Sequence, residues 1–259
     1  MRMKHFLTMQ VSVIFLLSLL DGCACTEIHN GTVAKPHSRP YMVFIKNDFI
    51  ICEGILIKPD WVLTAAHCDI KSTARVVLGA HMPNSKNEIG RHWRKINRTI
   101  PHESFRTKTF DYDVALLKLN KSADLSNTVN ILALPENFDE PVGGTVCEVA
   151  GWGSTTNLNN KQSEKLMEAN LTILDRKSCS KKWEGEKNIT QNMICTSVKA
   201  EKTDTCKGDS GGPLICNGVL RGVVSFGNHE CGVPGNAAVY AFLNRRITCW
   251  IYKQLSGLP

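Results

Sequence analysis

Short apolar runs separated by turn residues recur along most of the chain: Tyr41–Ile45, Ile50–Ile57, Arg75–Leu78, Val114–Leu119, Val146–Ala150, Leu171–Leu174 and Ala237–Leu243. Runs of this length and rhythm predict the strands of an all-β sandwich or barrel. Pro213–Cys216 and Val219–Phe226 flank the pair Asn217-Gly218. Asn and Gly both accept the positive φ of a two-residue turn, so this stretch predicts a β-hairpin. The last segment has a different period. Ile247, Trp250, Ile251 and Leu255 follow the spacing of one helix face, and Asn244 is placed to cap the start. Cys249 lies about 200° of helical turn from Ile247, which predicts an exposed thiol.

The first residues follow another logic. Arg2 and Lys4 precede an apolar run from Val11 to Leu20, broken only by Ser12 and Ser18, and small residues follow in Gly22-Cys23-Ala24-Cys25. This layout predicts a cleaved secretory signal over residues 1–25. The run is too short to span a bilayer as a helix and no second long one follows, so no membrane span is expected.

Export changes the meaning of the cysteines. The chain has 11, of which Cys23 and Cys25 fall in the signal. Of the nine that remain, eight can pair in an oxidising compartment and one is left over. No C-x-x-C pair is present, so zinc is not expected, and no carboxylate-rich calcium loop is seen; neither metal nor cofactor is assigned. Five N-x-S/T sequons, at Asn30, Asn97, Asn120, Asn170 and Asn188, agree with a secreted surface. With 42% hydrophobic and 21% charged residues the composition is globular, which excludes a disordered, collagen-like or coiled-coil chain. The net charge of +7 favours acidic partners without singling out nucleic acid, which is not expected as a ligand.

The chemistry sits in three distant motifs. Gly208-Asp209-Ser210-Gly211-Gly212 fits G-x-S-x-G, a pattern shared with nucleophile elbows of α/β-hydrolases. Those enzymes place the acid and the His after the Ser. Here the single His downstream is His229, and alternating helical patterns are absent. The opposite order is complete: Ala65-Ala66-His67-Cys68 precedes the Ser, and Asp111-Tyr112-Asp113-Val114 lies between. A serine hydroxyl needs a base at hydrogen-bond distance to become a nucleophile, and the base needs an acid to fix its tautomer. Two carboxylates, Asp111 and Asp113, compete for that third place.

On these motifs the chain resembles the chymotrypsin-fold, trypsin-like serine proteases from about Ile28 to the C-terminus. The resemblance implies two six-stranded antiparallel β-barrels, over roughly 28–135 and 136–245, and a C-terminal α-helix, with the protease domain spanning 28–259. It implies catalytic His67, Asp113 and Ser210, with an oxyanion hole from the N–H groups of Gly208 and Ser210. It also implies the disulfides Cys52–Cys68, Cys147–Cys216, Cys179–Cys195 and Cys206–Cys231, with Cys249 unpaired. That thiol is either capped by a small molecule or joined to a second copy in a disulfide-linked homodimer.

The same resemblance implies a zymogen. Ile28 becomes the mature N-terminus and its ammonium pairs with Asp209. The residue before the cut is Glu27, so removal of Thr26-Glu27 by a dipeptidyl aminopeptidase fits better than a tryptic cut, as in the granule proteases of cytotoxic lymphocytes and mast cells. Ile28-His29-Asn30-Gly31 departs from the usual Ile-Ile/Val-Gly-Gly, although Asn tolerates the left-handed backbone. Asp204 is expected at the base of the primary pocket, selecting Lys or Arg. Ser225-Phe226-Gly227 is expected to form its edge strand, with Phe226 in place of the commoner Trp. Ala238, in place of Gly, is expected to narrow the pocket. Retention of Cys206 and Cys231 favours a likeness to granzymes A and K.

Peptide and protein substrates, serpin-type inhibitors and acidic proteoglycan are the partners implied. The proteoglycan reading draws on basic stretches such as Arg91-His92-Trp93-Arg94-Lys95. The expected location is secreted or in a secretory granule. Two alternatives stand beside the granzyme-like enzyme: a mast-cell or extracellular trypsin-like protease, and a silent homologue used for binding.

Overall fold

The computed structural model describes residues 28–46, 51–154 and 162–257. The expected signal at 1–25 and the dipeptide at 26–27 lie outside the described residues, as does Ile50 at the start of one predicted run.

A two-residue strand, β1 (Thr32–Val33), opens the described chain. Six strands then make the first barrel: β2 (Met42–Lys46), β3 (Ile51–Lys58), β4 (Trp61–Thr64), β5 (Arg75–Leu78), β6 (His92–Pro101) and β7 (Ala115–Leu119). They close in the order β2-β3-β4-β7-β6-β5, all neighbours antiparallel. The second barrel uses β8 (Val146–Gly151), β9 (Met167–Leu174), β10 (Met193–Ser197), β11 (Pro213–Cys216), β12 (Val219–Phe226) and β13 (Ala237–Phe242). The order β9-β10-β13-β12-β11-β8 is closed by pairing of β8 with β9. The expected pair of six-stranded barrels is therefore present. Closure leaves no exposed strand edge in either barrel, except where β1 adds to the flank of β9.

Patterning explains the closure. Met42–Ile45, Val76–Leu78 and Leu116–Leu117 are buried, and each such side chain contributes about 1.5–3 kcal/mol when removed from water. The hairpin β11–β12 turns at Asn217 and Gly218, with φ of 51° and 75°, as their residue types predict.

Two features tie the halves together. Ile28, ahead of the first barrel, is buried in the core of the second, beside Val149, Met167 and Tyr240. The closing helix belongs to the second half of the chain but packs on the first. After a short helix α1 (Arg176–Lys182), helix α2 runs over Arg245–Ser256. Asn244 caps α2 by accepting from the Ile247 N–H at 3.1 Å. Ile247, Trp250 and Ile251 enter a cluster shared with Val114 and Leu116. Cys249 points away and is exposed without a disulfide. The Trp250 ring lies 4.7 Å from His102, which stacks at 4.6 Å on Tyr112. The helix thus braces the loop that carries Asp113.

The four expected disulfides are all formed: Cys52–Cys68, Cys147–Cys216, Cys179–Cys195 and Cys206–Cys231. By restricting the unfolded chain, each contributes about 2–4 kcal/mol. Among the described residues, no helix is long and apolar enough to cross a membrane, and no cluster of His, Cys, Asp and Glu is arranged to hold a metal.

Candidate active site

Three loops from the two barrels converge. β4 ends at Thr64, and one 3-10 turn over Ala66–Cys68 carries His67. The turn is pinned by the Cys52–Cys68 bridge and by Asp69, whose φ of 45° ends it abruptly. Between β6 and β7, Phe110 and Tyr112 both adopt positive φ, at 60° and 55°. This uncommon backbone reverses the chain twice and separates the two candidate acids. Asp111 turns outward, accepting from the Thr190 hydroxyl at 2.7 Å and the Asn192 amide at 2.9 Å. Asp113 turns inward and is fully buried.

His67 Nδ1 lies 2.6 Å from Asp113 Oδ2, and the His67 backbone N–H donates to Asp113 Oδ1 at 2.8 Å. On the other side of the ring, His67 Nε2 lies 3.0 Å from Ser210 Oγ. The structure therefore brings together the three residues that the sequence left far apart, and decides between the two aspartates.

The serine loop is held from below. The Glu53 N–H donates to the Ser210 carbonyl at 2.8 Å, and the Thr64 hydroxyl donates to the Glu53 carbonyl at 2.6 Å. Gly211, with φ of 91°, lies so close to this support that a Cβ would meet the Glu53 carbonyl at 2.2 Å. Gly208 also has positive φ, 106°. The N–H groups of Gly208 and Ser210 have no acceptor among the described residues.

Ser225 lies on β12 in the stretch expected to edge the pocket, and its side chain makes a further contact. Register shifts between Val224 and Phe226 in the β12–β13 ladder. The resulting bulge turns Ser225 inward, where its hydroxyl donates to Asp113 Oδ2 at 2.5 Å. The next residues do border open space: a Cβ on Gly227 would meet nothing within 4 Å. Phe226 packs 5.4 Å from Phe110 and 5.2 Å from Trp183, and Phe110 lies 5.4 Å from the His67 ring. Lys187 Nζ sits 4.7 Å from the Phe110 centroid. Sequence reasoning missed Phe110, Trp183 and Lys187, because a left-handed Phe and a Lys next to a sequon carry no linear signal.

Asp204 is buried. The Gly232 N–H donates to Oδ2 at 3.0 Å, and Oδ1 has no partner among the described residues. Burial raises its pKa to about 6, against the pull of the Gly232 and Thr205 N–H groups. The backbone of His29 bridges to Asp204, and the His29 ring lies over Gly232, where a Cβ would meet it at 2.2 Å. Asn30 adopts φ of 58°, the left-handed conformation expected of it. Ala238 is buried on β13, on the face it shares with Tyr240, whose hydroxyl lies 3.4 Å from that of Thr205.

Asp209 is fully enclosed and accepts from Gly153 at 2.7 Å and Cys206 at 2.8 Å. Burial raises its pKa to about 7. A second buried acid, Glu53, stands beside it and was not foreseen.

The family model for trypsin matches residues 28–251 of this chain. The chain is 42% identical to granzyme A of Bos taurus over 236 residues, 90% of each chain. It is 36% identical to glandular kallikrein-10 of Rattus norvegicus, over 95% of this chain and 98% of the relative. To mast cell protease 3 of Ovis aries it is 34% identical, over 95% and 96%. Among solved structures it resembles neuropsin, a serine protease expressed in the limbic system of mouse brain. That match has a TM-score of 0.79 at 32% identity, covering 87% of this chain and 98% of the other. Two closed barrels, a Ser–His–Asp chain of contacts across their junction and a family match over nearly the whole described chain lead to one conclusion: this protein belongs to the trypsin family and is a serine endopeptidase.

Proposed function

We propose a granzyme-like endopeptidase, made as a zymogen and secreted or stored in a granule, that cleaves after Lys or Arg. The observation that carries the chemistry is the unbroken line from Ser210 Oγ through His67 to Asp113, at 3.0 and 2.6 Å. His67 Nε2 takes the Ser210 proton as Oγ attacks the scissile carbonyl, and returns it to the departing amine. Asp113 fixes the tautomer of His67 and stabilises its cation. The N–H groups of Gly208 and Ser210, without an acceptor among the described residues, receive the developing oxyanion, a contribution of about 3 kcal/mol per donor. Water then repeats the sequence to release the acid.

The specificity reading rests on Asp204, whose buried Oδ1 lacks a donor among the described residues. A substrate guanidinium or ammonium supplies that donor and restores the charged form of the carboxylate. The zymogen reading rests on Glu27 before Ile28 and on Asp209, a buried carboxylate without an ion pair among the described residues. A dipeptidyl aminopeptidase releases Ile28, whose ammonium then pairs with Asp209. The likeness to bovine granzyme A supports a granule setting, with serpin-type inhibitors and acidic proteoglycan as partners.

The test is direct. Protein beginning at Ile28 is given peptide substrates ending in Arg, Lys or Phe, with and without a covalent serine-directed inhibitor. Turnover of Arg and Lys substrates, abolished by labelling of Ser210, is expected. Preference for Phe rejects the role of Asp204; full activity with Thr26-Glu27 still attached rejects the zymogen.

A further inference from the structure

Glu53 interrupts the apolar run of β3 and is buried with an exposure of 0%. Its Oε1 accepts from the Trp152 N–H, while Oε2 has no partner among the described residues. The side chain points into a cradle walled by glycines. A Cβ at Gly151 would meet Asp209 Oδ1 at 2.2 Å and both Glu53 oxygens at 2.8 Å, which places the two carboxylates within about 5 Å of each other. A Cβ at Gly153 would meet the Asp209 carboxylate at 2.4 Å, and one at Gly212 would meet Glu53 Oε2 at 2.6 Å. No described Lys, Arg or His forms an ion pair with either acid. The charges that bear on the pair are the two acids themselves and, beyond Asp209, Asp204.

We infer that Glu53 is a second acid of the pocket that receives the freed Ile28 ammonium: it shares one proton with Asp209, and holds the ammonium in place at pH values where Asp209 alone would release it. This rests on the proposed pairing of Ile28 with Asp209. Two adjacent buried carboxylates do not both ionise without a cation. The proton belongs on Glu53 Oε2, which has no described donor, because both oxygens of Asp209 already accept N–H bonds. When the ammonium enters, Asp209 carries the negative charge and Glu53 stays neutral. As pH rises, Glu53 loses its proton first. Its new charge then strengthens the hold on the ammonium and delays the deprotonation that would empty the pocket. Burial, aided by the neighbouring Asp209, pushes the Glu53 carboxyl well above the usual range, in line with this order.

Glu53 acts as a positioning residue, through Asp209 and the serine loop. The test compares protein beginning at Ile28 in its parent form, as Glu53→Gln and as Glu53→Ala. kcat and KM are measured from pH 5 to 10, and so is the rate at which acetic anhydride modifies the Ile28 amine. The parent is expected to lose kcat, with little change in KM, at a midpoint about one pH unit higher than either variant, a tenfold difference in proton concentration. Its amine should become reactive at the same higher pH. Coincident midpoints for the parent and both variants overturn the inference. Should Glu53→Gln not fold, Glu53→Ala, which removes the acid without replacing its volume, carries the comparison. Equal activity of the chain that retains Thr26-Glu27 would instead remove the underlying pairing, a failure distinct from that of Glu53.

Discussion

Ser225 donates its hydroxyl proton to Oδ2 of Asp113 at 2.5 Å, on the same oxygen that faces His67 Nδ1. The acid is therefore positioned from both barrels: by the His67 turn from the first, and by the β12 bulge from the second. Removing the hydroxyl leaves a buried carboxylate one donor short, at a cost of about 1.5 kcal/mol. Ser225→Ala should lower kcat/KM roughly tenfold. Asp113→Asn, which presents the wrong tautomer to His67, should lower kcat by about four orders of magnitude. Steady-state kinetics on a peptide substrate checks both, and equal losses for the two variants would remove the subordinate role given to Ser225.

Asp204 sets a second expectation. Asp204→Ser removes the partner of a buried substrate cation, worth about 4 kcal/mol or nearly a thousandfold in kcat/KM for Arg and Lys substrates. Phe substrates should be spared. Ala238→Gly removes one methyl group from the β13 face that leads through Tyr240 and Thr205 to Asp204. Arg turnover should rise by about tenfold. A fall in Arg turnover on removal of that methyl would show that Ala238 does not narrow the pocket.

Gly232 connects the segment around His29 to Asp204. Its φ of 71° and the His29 ring 2.2 Å from a virtual Cβ leave no space for a side chain. Gly232→Ala must move the His29 ring or the Asp204 donor, and the strained backbone adds about 1–3 kcal/mol. The expected outcome is a raised KM for Arg substrates with a smaller change in kcat, because the triad lies elsewhere. His29→Ala in the same chain should recover part of the loss. An unchanged KM for Gly232→Ala argues that the Gly232 N–H does not orient Asp204.

Much of this site was legible along the chain, and the exceptions share a cause. His67 and Ser210 stand in local motifs whose order identifies them, while Asp113 shares its motif with Asp111 and is told apart by its contact with His67. The hairpin at Asn217-Gly218 and the face of α2 follow from turn chemistry and period. By contrast, β6 was missed: Arg91–Lys95 reads as a solvated basic stretch, yet the strand runs on to Pro101, with its barrel-facing Ile96 buried while Trp93, Lys95 and Asn97 face out. Trp61–Thr64 of β4 and Met193–Ser197 of β10 also stand outside the predicted runs. The contact of the Ser225 hydroxyl with Asp113 was not legible, because alternation along β12 cannot reveal a bulge. Glu53 carried one visible signal, a lone charge inside an apolar run, but its neighbour Asp209 is 156 residues away and only the fold brings them together.

The buried acids also predict how stability follows pH in the chain that retains the residues before Ile28. Burial raises Asp204 to about 6 and Asp209 to about 7, and Glu53 well above its ordinary range. Unfolded carboxylates titrate near 4. Between about pH 4 and 7 the native state therefore holds more protons than the unfolded chain. The stability these groups contribute is full below the unfolded value and is lost as pH rises through the folded ones. His81 and His102 act in the opposite sense, since burial lowers both and favours their neutral forms as pH rises through about 6.5. The acid contribution is isolated by comparing Ser210→Ala, which cannot digest itself, with Ser210→Ala/Asp209→Asn, both retaining the residues before Ile28. The single variant should lose melting temperature between pH 5 and pH 7.5 relative to the double variant. The difference should be several degrees, at about 2–4 °C per kcal/mol for a chain of this size. Parallel melting curves across that interval would mean that Asp209 is already ionised in the chain that retains those residues, and that its buried charge has found a partner other than the proposed Ile28 ammonium.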